Sequence, residues 1–278
     1  MKRDDTNPLA NGTTIDLQIQ LVTDGFVVVP KLLNRAGVAI LSRACDTLLA
    51  GDRPKSRQVL YADGNVPDDT PALDRLLHQW LNPHRFGAPD GTRELLSAPR
   101  AAATALLGAD AVLFQDLILI KDATQAAFPM HQDFPFWPID RPHGVVCWVS
   151  LVPNTMNAGG LMFARGSHRL GVQPIVDLHR DRPQATGLRR VDLSDFELVT
   201  PVLRPGDALF FSPLIYHGSP RRRDPGLRGA WSSSWMHPEC CWSHARAPAH
   251  SLCRETRDGE AVRSPLANSP PSRPPPSD

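Results

Sequence analysis

No run of about 18 apolar residues occurs in this 278-residue chain, so a membrane-spanning helix is not expected. Its first residues, MKRDDTNPLANGTT, lack the apolar core of a secretory leader, and a cytoplasmic location is the expectation. Charge of one sign is missing too. Lys and Arg number 30 against 29 Asp and Glu, for a formal net charge of +1, which gives no field to attract nucleic acid or an anionic membrane. A small molecule is the expected partner, and nothing in the pattern fixes an oligomeric state. Cysteine is scarce: Cys45, Cys147, Cys240, Cys241 and Cys253 are odd in number and show no CxxC spacing. That argues against a disulfide framework and a structural zinc site, and leaves free thiols, mostly buried. No Gly/Ser-rich linker divides the middle, so residues 15–256 are expected to form one domain. A polar arm over residues 1–14 and a Pro/Ser-rich tail over 257–278 are expected to flank it.

What is present is a mainly β pattern with helices on its N-terminal side. The β-branched run Gly25 to Val29 ends at Pro30, and Asn34 stands where a cap opens a helix carrying Val38, Leu41, Cys45 and Leu48 at helical spacing. Further helices are expected over Pro71 to Trp80 and over Leu95 to Leu107, the latter stopped by Gly108. Strands are expected over Ala111 to Lys121, Val145 to Val152, Leu161 to Phe163, Ala208 to Phe211, Leu214 to His217 and Arg228 to His237. In the first of these, alternation puts Gln115, Leu117, Leu119 and Lys121 on one face, with Val112, Phe114, Asp116, Ile118 and Ile120 on the other. A glutamine there needs hydrogen-bond partners, supplied by a bound ligand or by a strand edge. The polar stretch Gly171 to Val199 is expected to be a loop near the functional end, with Arg189 and Arg190 either contacting substrate or forming a solvated edge.

Ligand chemistry concentrates around Met130-His131-Gln132-Asp133-Phe134-Pro135-Phe136-Trp137. In His-x-Asp on a strand or at its fraying end, the first and third side chains leave one face. Alone, the pair is equally read as a loop histidine followed by a capping aspartate. With an imidazole from a distant strand, for which His217 is the natural choice, it makes a facial triad that holds Fe(II) and leaves three positions open. Further on, Arg228 opens a strand face shared with Ala230, Ser232, Ser234 and Met236, so small residues leave room beside a guanidinium suited to binding a carboxylate through two bonds.

The ordered set His131-x-Asp133, Gly160-Leu161…Arg165-Gly166-Ser167-His168, His217-x-Ser219 and Arg228, eleven residues beyond His217, resembles the phytanoyl-CoA dioxygenase family over roughly Gly25 to Pro238. The resemblance implies a double-stranded β-helix, the jelly-roll or cupin-like barrel, with Fe(II) on His131, Asp133 and His217. It implies 2-oxoglutarate as cosubstrate, its far carboxylate on Arg228 and Ser219, and O2 as oxidant. The family resemblance also puts Trp148 beside 2-oxoglutarate, and similarity to its ectoine hydroxylases adds Gln115 there and Trp137 beside substrate, with Phe134 in the same aromatic wall. Core packing is the alternative for the aromatics. Hydroxylation of an unactivated C–H in a small metabolite or natural-product intermediate, releasing succinate and CO2, is the implied reaction, with desaturation or cyclisation as variants. Asp133 argues against halogenation, because related halogenases carry a small residue there. Arg165 replaces the family's usual proline, which leaves that loop less rigid, and His168 is read as structural. His78 and His84 are assigned surface or packing roles, His143 a surface role, and His237, His244 and His250 none. A cupin-type enzyme without cosubstrate and a non-catalytic binding protein are the competing readings.

Overall fold

The segment Gly144–Ser150, GVVCWVS, is buried at every residue, and the architecture follows from that. In the computed structural model, which describes residues 14–50, 78–84, 90–121, 127–174 and 192–243, this strand lies inside a sheet covered on both faces. Ten strands occur among those residues: β1 (Phe26–Val29), β2 (His78–Leu81), β3 (Val112–Lys121), β4 (Phe128–His131), β5 (Gly144–Ser150), β6 (Met162–Ala164), β7 (Leu198–Val199), β8 (Ala208–Phe211), β9 (His217–Ser219) and β10 (Arg228–Met236). Three helices accompany them: α1 (Thr14–Asp24), α2 (Arg35–Ala50) and α3 (Ser97–Leu107). A six-stranded sheet has the order β1-β8-β5-β10-β3-β2, and a four-stranded sheet the order β4-β9-β6-β7. This is the jelly-roll barrel with flanking helices.

Alternation along β5 divides the core in two. Val145, Cys147 and Val149 join Ile118, Ile120, Trp231 and Trp235 under Leu41 of α2 and Ala102, Ala103 and Leu106 of α3. Val146 and Trp148 point the other way, into a cluster with Phe26, Phe163 and Phe211 that draws on both sheets. Each fully buried aliphatic or aromatic side chain contributes about 1.5–3 kcal/mol.

Local signals set several boundaries. Asn34 caps α2 as expected, its Oδ1 accepting from Gly37 N at 2.9 Å. Gly108 ends α3 at φ 67°, in the left-handed region that favours glycine. Gly206 turns the chain into β8 at φ 90°, and a Cβ there would lie 2.4 Å from Leu33 O.

Three expectations are corrected and one element is added. The helix predicted over Pro71 to Trp80 falls partly outside the described residues, and its end is strand β2, drawn into the ladder by pairing with β3 at His78↔Ile120 through Leu81↔Leu117. Phe114 does not share a face with Ile118: a register shift between Ser234 and Trp235 marks a bulge, and Phe114 joins the interior cluster with Trp137. The strand predicted over Leu214 to His217 instead begins at His217, because Ile215 N bonds Ser212 O and closes a turn around Pro213. Helix α1, absent from the sequence expectations, is tied to α3 by Gln18 Nε2 donating to Ala105 O at 2.8 Å.

Candidate active site

His131 ends β4 and His217 begins β9, and the antiparallel register sets them directly opposite each other. Their ring centroids are 4.3 Å apart. Each ring is held from behind: His131 Nδ1 donates to Pro129 O at 2.9 Å and His217 Nδ1 to Ile215 O at 3.1 Å. A carbonyl only accepts, so the proton sits on Nδ1 and each Nε2 presents a lone pair. Both lone pairs meet Asp133 Oδ1, at 3.4 Å from His131 Nε2 and 3.6 Å from His217 Nε2. Asp133 arrives by a route that strand alternation does not describe. Its backbone is helical (φ −75°, ψ −42°), and it leads a 3-10 turn over Phe134–Phe136.

Gln132, between the two ligands, was not singled out from the sequence. Buried at 2 % exposure, it donates through Nε2 to Gly171 O at 2.9 Å and Leu214 O at 2.7 Å, and accepts from Gln173 N at 2.9 Å. It fastens the His131–Asp133 turn to the segment that delivers His217.

Burial pushes His217 down to about 4, against the pull of Asp133 and reinforced by His131. Burial alone would raise Asp133, but the facing imidazoles of His217 and His131 outweigh it and hold the carboxyl below its ordinary value. A neutral imidazole and an ionised carboxylate are the ligating forms. One donor atom from each of the three residues lies within 4.8 Å of the others, and this two-nitrogen, one-oxygen set fits Fe(II).

A cationic cluster adjoins the triad. Ser219 lies two residues beyond His217, on the same strand face and about 7 Å along it. Lys121 Nζ donates to Ser219 Oγ at 2.9 Å and to Pro220 O at 3.0 Å. Opposite Lys121 in the β3–β10 register is Arg228, 3 % exposed, its Cζ 5.7 Å from the Trp148 ring centroid. Arg228 Nη1 donates to Gly159 O, while its buried Nε has no partner. Arg222, also buried, donates to the carbonyls of Ala158, Asp224 and Pro225. Burial and then the charge of Arg222 lower Arg228 to about 10, so it stays charged at neutral pH. A buried guanidinium with a free N–H and, among the described residues, no carboxylate paired with it is a receptor for an anion, and the carboxylate of 2-oxoglutarate fits.

The remaining predicted residues fall in two groups. Gln115 and Trp148 lie on adjoining interior faces, opposite Ser234 and Ser232 of β10. Phe134 and Trp137 are 1 % and 4 % exposed within the interior cluster, Trp137 against Phe114 at 5.5 Å. The partly exposed aromatics beside His131 are instead Phe128, at 5.0 Å, and Phe136, at 6.4 Å. His168 is structural, bonding Val22 O at 2.9 Å. Arg165 does not loosen its loop: it pairs with Asp24 at 2.7 Å and Glu197 at 2.9 Å. His84 pairs with the fully buried Asp116, which also accepts from Trp231 Nε1 at 3.0 Å on the helix-covered face. Arg189, Arg190, His244, His250 and Cys253 lie outside the described residues.

The family model for phytanoyl-CoA dioxygenase (PhyH) matches residues 21–230. The peroxisomal phytanoyl-CoA dioxygenase of Bos taurus is 31 % identical over 120 residues, which are 40 % of this chain and 34 % of that protein. Methylphosphonate hydroxylase of Gimesia maris is 33 % identical over 132 residues, 47 % of this chain and 48 % of that protein. The matched region thus spans a third to a half of these relatives' length. The epimerase SnoN, in its complex with Fe3+, alpha ketoglutarate and nogalamycin RO, is similar in fold: the TM-score is 0.67 at 22 % identity, over 94 % of this chain and 96 % of that one. Because the family match runs from α1 into β10 and takes in His131, Asp133, His217, Ser219 and Arg228, the chain belongs to the phytanoyl-CoA dioxygenase family.

Proposed function

We propose that the protein is an Fe(II)- and 2-oxoglutarate-dependent dioxygenase that hydroxylates an unactivated C–H of a small metabolite or natural-product intermediate, with succinate and CO2 as coproducts. The observation that carries this reading is Arg228, a buried arginine with an unpartnered Nε, placed through Lys121 and Ser219 next to the strand that holds His217. The roughly 7 Å between His217 and Ser219 along β9 suits a five-carbon dicarboxylate that chelates a metal at one end and meets a cation at the other.

His131, Asp133 and His217 would hold the iron. Bound there, iron supplies the activation of dioxygen and the oxidising power that breaks a C–H bond. The chain's other residues bind and orient. Arg228 and Ser219 take the far carboxylate, Lys121 holds the Ser219 hydroxyl, and Trp148 walls the guanidinium. Gln115 would offer its side-chain amide to the cosubstrate from the interior face of β3. Asp133 keeps a protein carboxylate in the coordination position that halide transfer needs open, which supports oxygenation. Phe128 and Phe136 flank the partly open side of the triad and exclude water from it, with Phe134 and Trp137 packed behind. An aromatic wall suits a small free substrate better than a coenzyme A thioester, and methylphosphonate hydroxylase is a relative named for such a substrate.

Anaerobic addition of Fe(II) and 2-oxoglutarate to the full chain should produce the weak visible charge-transfer band of the chelate, and admission of oxygen should then release succinate. Absence of both in folded, iron-loaded protein would overturn the proposal in favour of a cupin-like binding protein.

A further inference from the structure

The ends of β5 and β10 bring together three side chains that the reaction does not use. Gly144 pairs with Met236, so the next residues outward, His143 and His237, face each other across the ladder, and His237 N donates to His143 O at 2.9 Å. Their rings stack with centroids 4.2 Å apart and planes 5° from parallel. The close approach depends on Gly144, where a Cβ would stand 2.5 Å from Trp235 O. Beyond His237 the chain turns back, with Cys240 N bonding His237 O at 2.9 Å and Cys240 Sγ donating to His143 O at 3.1 Å. That turn carries Glu239, whose Oε2 is 3.8 Å from His237 Nδ1.

We propose that His143, His237 and Glu239 form a second site, separate from the triad, for a borderline divalent transition-metal ion of the Zn2+ class. One ligand atom from each residue lies within 4.8 Å of the other two. Two imidazoles and a carboxylate are the donor types such ions favour, and the exposure of His143 and Glu239 leaves room for water as the remaining ligand. Burial and the neighbouring His237 both lower the His143 pKa, which favours the neutral, ligating imidazole. An ion here would brace the segment that follows β10. That segment folds onto the turn after Trp137: Asp140 N bonds Cys241 O at 3.0 Å, Ser243 N bonds Pro138 O at 2.9 Å, and Trp242 packs on the interior aromatic cluster. The metal would therefore stiffen the wall behind the triad without entering the chemistry.

The test is Zn2+ stoichiometry on untagged, chelator-stripped full chain, titrated against a chromophoric competitor and with folding followed by circular dichroism. Wild type should bind two equivalents, His131→Ala one, and His143→Ala/His237→Ala one. Glu239→Gln, at an exposed position, should weaken the second equivalent by more than about tenfold. Retention in the double variant of every equivalent that the wild type binds would overturn the site. A fault in the triad assignment would show separately, as no equivalent lost in His131→Ala.

Discussion

Lys121 and Arg228 are direct partners in the antiparallel register of β3 and β10, so two buried cations stand side by side on one strand pair. An anion bound beside Arg228 would offset the cost of holding its charge in the interior. Replacing Arg228 with Met should therefore leave the melting temperature of the ligand-free protein unchanged or raised, since a desolvated charge is removed. The rise in melting temperature that 2-oxoglutarate gives the wild type should vanish. Charge-assisted bonds contribute about 1.5–3 kcal/mol, so the 2-oxoglutarate requirement should climb roughly ten- to a hundredfold, with little change for substrate. Equal effects on both requirements would contradict the anchoring role.

Much of the site was legible because ligand spacing is a local property. His131, Asp133, His217 and Arg228 are chemically distinctive, and the first three do come together, although Asp133 gets there through a 3-10 turn and not by strand alternation. The Asn34 cap and the Gly108 stop were equally readable, since each acts within one turn. What escaped depends on a partner far along the chain. His78–Leu81 is strand only because β3 offers it an edge, and Phe114 faces inward only because β3 bulges at that residue against β10. The aromatic run around His131 does not itself reveal that a 3-10 turn sends Phe134 inward and leaves Phe136 partly exposed. His143 and His237 gave no signal at all, because the β5–β10 register alone joins them.

Gln132 holds three backbone groups drawn from two separate segments, 171–173 and Leu214. Gln132→Ala leaves the carbonyls of Gly171 and Leu214 and the N–H of Gln173 without that partner, which should cost about 1–3 kcal/mol in denaturant unfolding. Because those bonds position both halves of the triad, iron affinity should fall by about 10–100-fold, as for loss of an outer-shell partner. Unchanged iron affinity together with lost stability would make Gln132 a packing residue only.

Trp137 and Phe136 should separate stability from selectivity. Trp137 is 4 % exposed in the interior cluster, so Trp137→Ala should lower unfolding free energy by about 3–5 kcal/mol. Phe136 is partly exposed beside His131, so Phe136→Ala should cost about 1 kcal/mol or less and shift the ranking of accepted substrates. Substrate-independent succinate release should persist in the Phe136 variant. Unfolding curves and a paired turnover assay would show the reverse pattern if Trp137 were the wall.

His168 should make stability depend on pH. Its Nε2 donates to Val22 O at the end of α1, while its Nδ1 is buried without a partner against Gly25. Burial lowers its pKa and Arg169 adds to the lowering; the Val22 bond and Asp24 pull the other way without reversing it. The folded pKa therefore lies below the ordinary 6.5, and the unfolded chain binds the proton more readily. The stability from this contact is fully present above about pH 6.5 and drains away as the pH falls through the folded pKa. His168→Gln retains an N–H donor and does not titrate, so its melting temperature should fall less steeply than the wild type's between about pH 7 and 5. Identical slopes in the two proteins would show that the protonation of His168 does not govern how α1 is held.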